Sequence, residues 1–162
     1  MLRIVMDSAG DIPAEWLRDL DVRVIPVNIH FGERTFLQGV DLSNADFYHM
    51  TDQVRNFPKT SQPSPQQFVD FYTLNAQPGD TIISIHVTGK LSGTLASAQM
   101  AAVELKKEFE IFPVDSASGS ASMGYMAREA RRLDRAGLSA GQIVQRLEKI
   151  AANVEIILTL NT

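Results

Sequence analysis

The chain has 162 residues, 44% hydrophobic and 21% charged, with a formal net charge of −4, the length and balance of one globular domain with a real core. It contains no cysteine, which excludes disulfides and thiolate metal sites, and its acidic balance argues against nucleic acid as the main partner. No stretch approaches the roughly 20 apolar residues needed to span a bilayer, and the apolar run after Met1 is too short for a signal peptide, so a cytoplasmic location is expected.

Residues 2–6 read as a short buried strand, ended by the turn Asp7-Ser8-Ala9-Gly10-Asp11. Pro13 suits the first turn of a helix to about Leu20, with Asp11 as its N-cap. Residues 22–29 read as a second strand, and 31–36 as a turn into a brief returning strand. Ser43 caps a helix carrying Phe47, Tyr48 and Val54. Residues 56–65, with three prolines and several hydroxyls, read as a loop. Ser64 caps the next helix, with Pro65 at its first position and Phe68, Phe71 and Tyr72 on its inner face.

Residues 80–87 are apolar and β-branched, the pattern of a buried strand. The turn Thr88-Gly89-Lys90-Leu91-Ser92-Gly93-Thr94 leads into a helix whose inner face is expected at Ala96, Ala98, Met100, Ala101, Val103 and Leu105. A strand at 110–114 ends in Asp115-Ser116-Ala117-Ser118-Gly119-Ser120, and a helix carrying Met123, Met126, Ala127, Ala130 and Leu133 runs to Gly137. On that helix Arg128, Arg131, Arg132 and Arg135 read as one solvated face. Ser139 caps a last helix to about Ala151, and residues 154–160 read as a closing strand. The alternation predicts an α/β domain over residues 1–162, a mostly parallel sheet flanked by helices. An apolar strand two residues from the end of the chain reads as the first part of a longer protein.

Ligands of open α/β sheets bind outside the carboxyl ends of the strands. Three hydroxyl-rich turns are expected there, at 7–11, 88–94 and 115–120, with the proline-flanked loop 59–64 reaching over the same edge. Hydroxyls together with unpaired N–H groups at a helix start suit a carboxylate or a phosphate. Serine and threonine are also ordinary helix caps, and capping is the favoured reading for Ser8, Ser116 and Ser118. The run Ser92-Gly93-Thr94 is favoured as a binding site, because glycine permits close approach to the backbone. Asp7 and Asp115 end strands and are read as holding the backbone of nearby turns. By composition alone Thr60 and Ser61 are neutral loop residues.

Other chemistries fit poorly. Gly89-Lys90 lacks the upstream glycine and the following Ser or Thr of a phosphate-binding loop, and no Gly-x-Ser-x-Gly elbow surrounds Ser92. His30, His49 and His86 show no metal-ligand spacing, and His86 reads as a satisfied core residue. Trp16 reads as core rather than as a stacking platform. No metal site, cofactor or catalytic dyad is expected. An enzyme or sensor holding a small phosphorylated metabolite at the helix start near Ser92 is the alternative to a ligand carrier.

The sequence resembles the DegV family of bacterial fatty-acid-binding proteins. The opening Asp7-Ser8-Ala9-Gly10-Asp11-Ile12-Pro13 is similar to its Asp-Ser-x-x-Asp-Leu-Pro start, and Val24-Ile25-Pro26-Val27 with Asp41 to its second strand and beyond. Thr60-Ser61-Gln62-Pro63-Ser64 and Leu91-Ser92-Gly93-Thr94 match its two most distinctive motifs, and Val114-Asp115-Ser116 its later turn. The resemblance implies a two-domain protein of which residues 1–162 form the N-terminal α/β domain. It implies a long-chain fatty acid whose carboxylate meets Thr60 and Ser92, with the Gly93 N–H as third donor and Ser61, Thr94, Ser8 and Ser116 as secondary candidates. It further implies a carrier without chemistry of its own, presenting the acid to an ATP-binding fatty acid kinase subunit for acyl phosphate formation in phospholipid synthesis. Ala9 and Thr88-Gly89 depart from the family pattern, and neither touches Thr60 or Ser92.

Overall fold

Four runs that are apolar on both faces form a parallel sheet, because helices cover both of its sides. A computed structural model describes residues 1–54 and 57–157. Strands β1 (Leu2–Asp7), β2 (Val22–Ile25), β6 (Thr81–His86) and β7 (Glu110–Asp115) lie in the order β2-β1-β6-β7. Ile4, Met6, Ile83, Ile85 and Val114 face helices α5 (Ala121–Arg135) and α6 (Ala140–Ala151), packing on Met123, Met126, Ala127, Ala130, Ile143 and Leu147. Val5 and Ile82 face the other way, onto Phe68 and Tyr72 of α3 (Pro65–Asn75) and Ala98 and Ala101 of α4 (Thr94–Glu104). Helix α1 (Ala14–Asp19) lies between β1 and β2 in sequence. Among the described residues no helix is long and apolar enough to cross a membrane.

A second, antiparallel sheet has the order β4-β3-β5, from β3 (Asn28–Phe31), β4 (Arg34–Leu37) and β5 (Lys59–Ser61), with α2 (Asn44–Gln53) in the connection from β4 to β5. It corrects two expectations. The run 22–29 is two strands parted at Pro26, which has no N–H to donate to a ladder. Residues 59–61 are a strand rather than loop, pairing Ser61 with Asn28, Thr60 with Ile29 and Lys59 with His30. The partner strand lies some thirty residues upstream, so no local periodicity announces it.

The caps at Ser43, Ser64 and Ser139 are as expected, the last two as full capping boxes. Asp11 is not a cap: α1 starts after Pro13 with no side-chain cap, and Asp11 Oδ2 instead accepts from Ser120 Oγ at 2.5 Å, tying α1's approach to the start of α5. The inner face of α4 is Thr94, Ser97, Ala98 and Ala101, while Met100 and Val103 are 62% and 67% exposed. Small residues let α4 lie close on the sheet, and the larger apolar ones turn outward. Arg131 leaves the solvated face: it is 8% exposed and donates to the carbonyls of Leu20 and Asp21 at 2.7 and 3.3 Å and to Asp134 at 2.6 Å. Trp16 is only partly buried and carries a guanidinium on its ring. Residues 154–157 form no strand, and 158–160 lie outside the described residues.

A polar chain crosses the core on the α3 side of the sheet. Tyr72 donates to Ser84 Oγ at 2.8 Å, Ser84 to His86 Nε2 at 2.8 Å, and His86 Nδ1–H to Asp7 Oδ2 at 3.1 Å, the tautomer being the one this network requires. All four side chains are fully buried. Burial pushes the Tyr72 phenol far up, so it stays a neutral donor. Asp7 also accepts from the amides of Val87 and Ala9, both at 2.9 Å. The expected roles of His86 and Asp7 are therefore the observed ones.

At the opposite end of the sheet the Met1 ammonium (2.8 Å) and the Arg3 guanidinium (2.8 Å) hold the Asp80 carboxyl well below the usual carboxylate range. A depressed folded-state value gives stability that is complete above the unfolded carboxyl pKa, about 4, and lost as pH falls below it. Asp80→Asn should lower stability at neutral pH and flatten its decline between about pH 4 and pH 2, read by denaturant unfolding across that window.

Candidate functional site

The carboxyl ends of β1 and β6 are held together by Asp7, and the expected turns hang from them. Ser8 N–H donates to the Ile25 carbonyl at 3.0 Å; Ser8 Oγ accepts from Val27 N at 2.9 Å and donates to Gln38 Oε1 at 2.9 Å. Ser8 thus joins the parallel sheet to the antiparallel one, and both capacities of its hydroxyl are used. Across from it, Leu91 and Ser92 amides fold back on the Thr88 carbonyl, and Gly89 N–H reaches Asp115 Oδ2 at 3.3 Å. Asp115 Oδ1 accepts from Ala117 N at 2.7 Å, so Asp115 holds turn backbone as expected.

Helix α4 begins at Gly93 with no cap from that residue, its first amides facing the turn. Ser92 Oγ sits 2.9 Å from Thr94 Oγ1 and accepts from Thr94 N at 3.3 Å. Among the described residues Gly93 N–H makes no hydrogen bond and neither does the Thr60 hydroxyl. Thr60 is presented on β5, which Asn28 and Gln67 fix: Asn28 Nδ2 donates to the Gln62 carbonyl at 3.2 Å and Gln67 Nε2 to Asn28 Oδ1 at 3.2 Å. The Ser61 hydroxyl lies 2.9 Å from His30 Nε2, whose Nδ1 is 2.9 Å from Thr35 Oγ1.

These elements enclose a cleft of about 660 Å³ whose lining includes Ser8, Thr60, Ser61, Ser92, Gly93 and Thr94. One expected residue lies elsewhere: Ser116 is fully buried, donating to the Ser118 carbonyl at 3.0 Å and accepting from Ser118 N at 3.2 Å, a turn closure. Gln38 and Gln62 also line the cleft and had no role in the sequence reading. Gln62 stands inside the Thr60-Ser61-Gln62-Pro63 motif, and that adjacency was the available signal. Its carboxamide lies directly over Gly93, where an added Cβ would overlap it. Gly93 has an ordinary φ of −77°, so a side chain there would meet the Gln62 carboxamide rather than backbone strain.

The cleft therefore offers neutral donors and a helix N-terminus, with Val27, Val87 and Leu91 as apolar lining and Asp11 at the rim. That set suits a small monoanionic group with an apolar attachment. The Ser84–His86–Asp7 order has the connectivity of a hydrolase triad, yet Ser84 is buried in the sheet and its hydroxyl is bonded on both sides. Among the described residues no group of three or more potential metal ligands is present.

A family described as uncharacterised proteins of the DegV family matches residues 1–162. A DegV domain-containing protein of Deinococcus radiodurans is 34% identical over 99% of this chain and 57% of its own length. One from Listeria monocytogenes is 33% identical over 92% of this chain and 53% of its own. Among solved structures, DegV from Bacillus subtilis, described as a fatty acid binding protein, aligns with a TM-score of 0.85 at 28% identity, over 93% of this chain and 54% of that one. A DegV family protein of Thermus thermophilus, described by its fatty acid binding, gives 0.79 at 30% identity, over 93% and 53%. The chain spans about half the length of the curated relatives it matches.

Asp7→Ala would leave the Val87 and Ala9 amides and His86 without their acceptor, and should lower unfolding stability by about 3 kcal/mol in a denaturant titration. Gly93→Ala meets only the movable end of exposed Gln62 and should lower it by less than about 1 kcal/mol. Gly124→Ala meets the Asp11 backbone carbonyl and should lower it by about 2–3 kcal/mol in the same assay.

Proposed function

The chain belongs to the DegV family, and on that premise we propose that it binds a long-chain fatty acid, its carboxylate between Thr60 and Ser92 with Gly93 N–H as third donor. The observation that carries this reading is the convergence, in one cleft, of Thr60 on β5 with Ser92 and Gly93 at the start of α4. These segments are thirty residues apart in sequence, and their donors are of the kind a carboxylate needs. Relatives described as fatty acid binding support the ligand class. Ser61, Thr94 and Ser8 hold the surrounding geometry.

The energetics divide the work. A charge-assisted hydrogen bond contributes about 1.5–3 kcal/mol net, and desolvation of the anion offsets much of it. An acyl tail gains about 0.8 kcal/mol per buried CH₂, so some 14 methylenes contribute about 11 kcal/mol gross. The tail sets affinity, and Thr60 and Ser92 set where the carboxylate points. The chain spans about half the length of its relatives, and in this reading residues 1–162 are the headgroup-binding half of a two-domain protein whose other half completes the tunnel wall. The protein is a cytoplasmic lipid carrier that performs no chemistry of its own. It presents the carboxylate to an ATP-binding kinase subunit that forms the acyl phosphate.

Mass spectrometry of an organic extract from the purified full-length protein should find a long-chain fatty acid near one per chain. Ser92→Ala should retain it within about tenfold in affinity while losing a larger factor in ATP-dependent phosphorylation of the bound acid. An empty extract with no saturable oleate binding would overturn the reading.

A further inference from the structure

A second cleft, of about 450 Å³, lies between α1 and α5 and is lined by Trp16, Asp19, Leu20, Arg128, Arg132 and Arg135. The three arginines follow one another on α5 at i, i+4 and i+7, all exposed, in a chain whose net charge is −4. Three guanidinium groups thus face one cleft whose lining holds a single carboxylate, Asp19. The guanidinium of Arg128 lies 4.9 Å from the centre of the Trp16 ring and 6.0 Å from that of Tyr125, and among the described residues it has no carboxylate partner. Arg132 is held by Glu129 at 2.7 Å, and Arg135 donates to the Asp19 carbonyl at 2.5 Å, so their planes are fixed while further N–H groups remain available. Arg146 shares Glu129 at 3.6 Å, which leaves that one carboxylate between two guanidinium groups.

We infer that the α1–α5 cleft docks an acidic, amphipathic helical segment of a protein partner, its carboxylates on the arginine row and an apolar side chain on Trp16 and Leu20. Charge complementarity carries the argument. At 1.5 Å per residue the successive arginines stand about 6 and 4.5 Å apart along α5, the rise between carboxylates at i, i+4 and i+7 of a second helix. An aromatic floor with ordered guanidinium groups is the composition of an interface anchor, and a groove between two helices accepts a third. A phosphate backbone fits less well, because Trp16 and Leu20 line the same cleft and offer an apolar contact that a sugar-phosphate chain leaves unused. The inference stands independently of the ligand in the first cleft.

Trp16 is the chain's one tryptophan, so its fluorescence reports on this cleft alone. The probe is a synthetic helical peptide with Glu at i, i+4 and i+7 and Leu between them, beside the same peptide with Gln for Glu. The Glu peptide should change Trp16 emission saturably, bind at least tenfold tighter than the Gln peptide, and weaken as salt rises. Arg128→Ala, outside the buried face of α5, should weaken it at least tenfold with thermal unfolding unchanged. Arg135→Gln, which leaves the Trp16 contact intact, should weaken it severalfold and serves as the second variant. No saturable response, equal binding of the two peptides, or insensitivity to both substitutions would overturn the inference. Tighter arginine-dependent binding of a duplex oligonucleotide or of phosphatidylglycerol vesicles would overturn it as well.

Discussion

The carboxylate of Asp7 is the constraint on which the rest of the molecule depends. It is fully buried at the carboxyl end of β1, yet its acceptors are all engaged: the amides of Val87 and Ala9 and the ring of His86, itself tied through Ser84 to Tyr72. An unpartnered buried carboxylate is among the most costly groups a fold can hold, so this one fixes its surroundings in the single arrangement that satisfies it. Its bond to Ala9 shapes the turn carrying Ser8, and its bond to Val87 sets where β6 ends and the Ser92 turn begins. Ser8 then passes the constraint to Val27 and Gln38, which flank β3 and β4 of the second sheet, whose strand β5 carries Thr60. The cleft that Ser8, Thr60 and Ser92 line is thus tied to the core through Asp7.

That dependence explains the chemistry of the cleft. Its donors are hydroxyls and amides, and among the described residues no lysine, arginine or histidine lines it. The Gln62 carboxamide lies over Gly93 at the start of α4, beside the first amides of the helix. Three arginines, Arg128, Arg132 and Arg135, instead line the separate cleft between α1 and α5.

Local rules made most of the elements legible in the sequence. Ser43, Ser64 and Ser139 announce their helices by capping chemistry, and Met123, Met126, Ala127, Ala130 and Leu133 fall on the buried face that their spacing predicts. What failed was non-local. β5 is three residues long and exists because β3 lies beside it. Helix α4 buries Ala98, Ala101 and Leu105 as their spacing predicts, but it also buries Thr94 and Ser97 and exposes Ala96, Met100 and Val103, so hydrophobicity alone finds only part of the face. Arg131 is buried because the carbonyls of Leu20 and Asp21 receive it, a partnership across 110 residues that no window contains. Thr60 and Ser92 were singled out through the family resemblance, and that they line one cleft depends on the antiparallel sheet, which no local pattern announces. Gln62 was overlooked because a glutamine in a proline-flanked loop carries no signature until Gly93 is seen beneath it.

The most direct measurement is a crystal structure of the full-length protein with stearate. The account predicts the carboxylate within hydrogen-bonding distance of Thr60 Oγ1, Ser92 Oγ and Gly93 N–H, with the tail leaving past Val87 and Leu91. A carboxylate bound away from both Thr60 and Ser92, with the cleft holding only solvent, would contradict it.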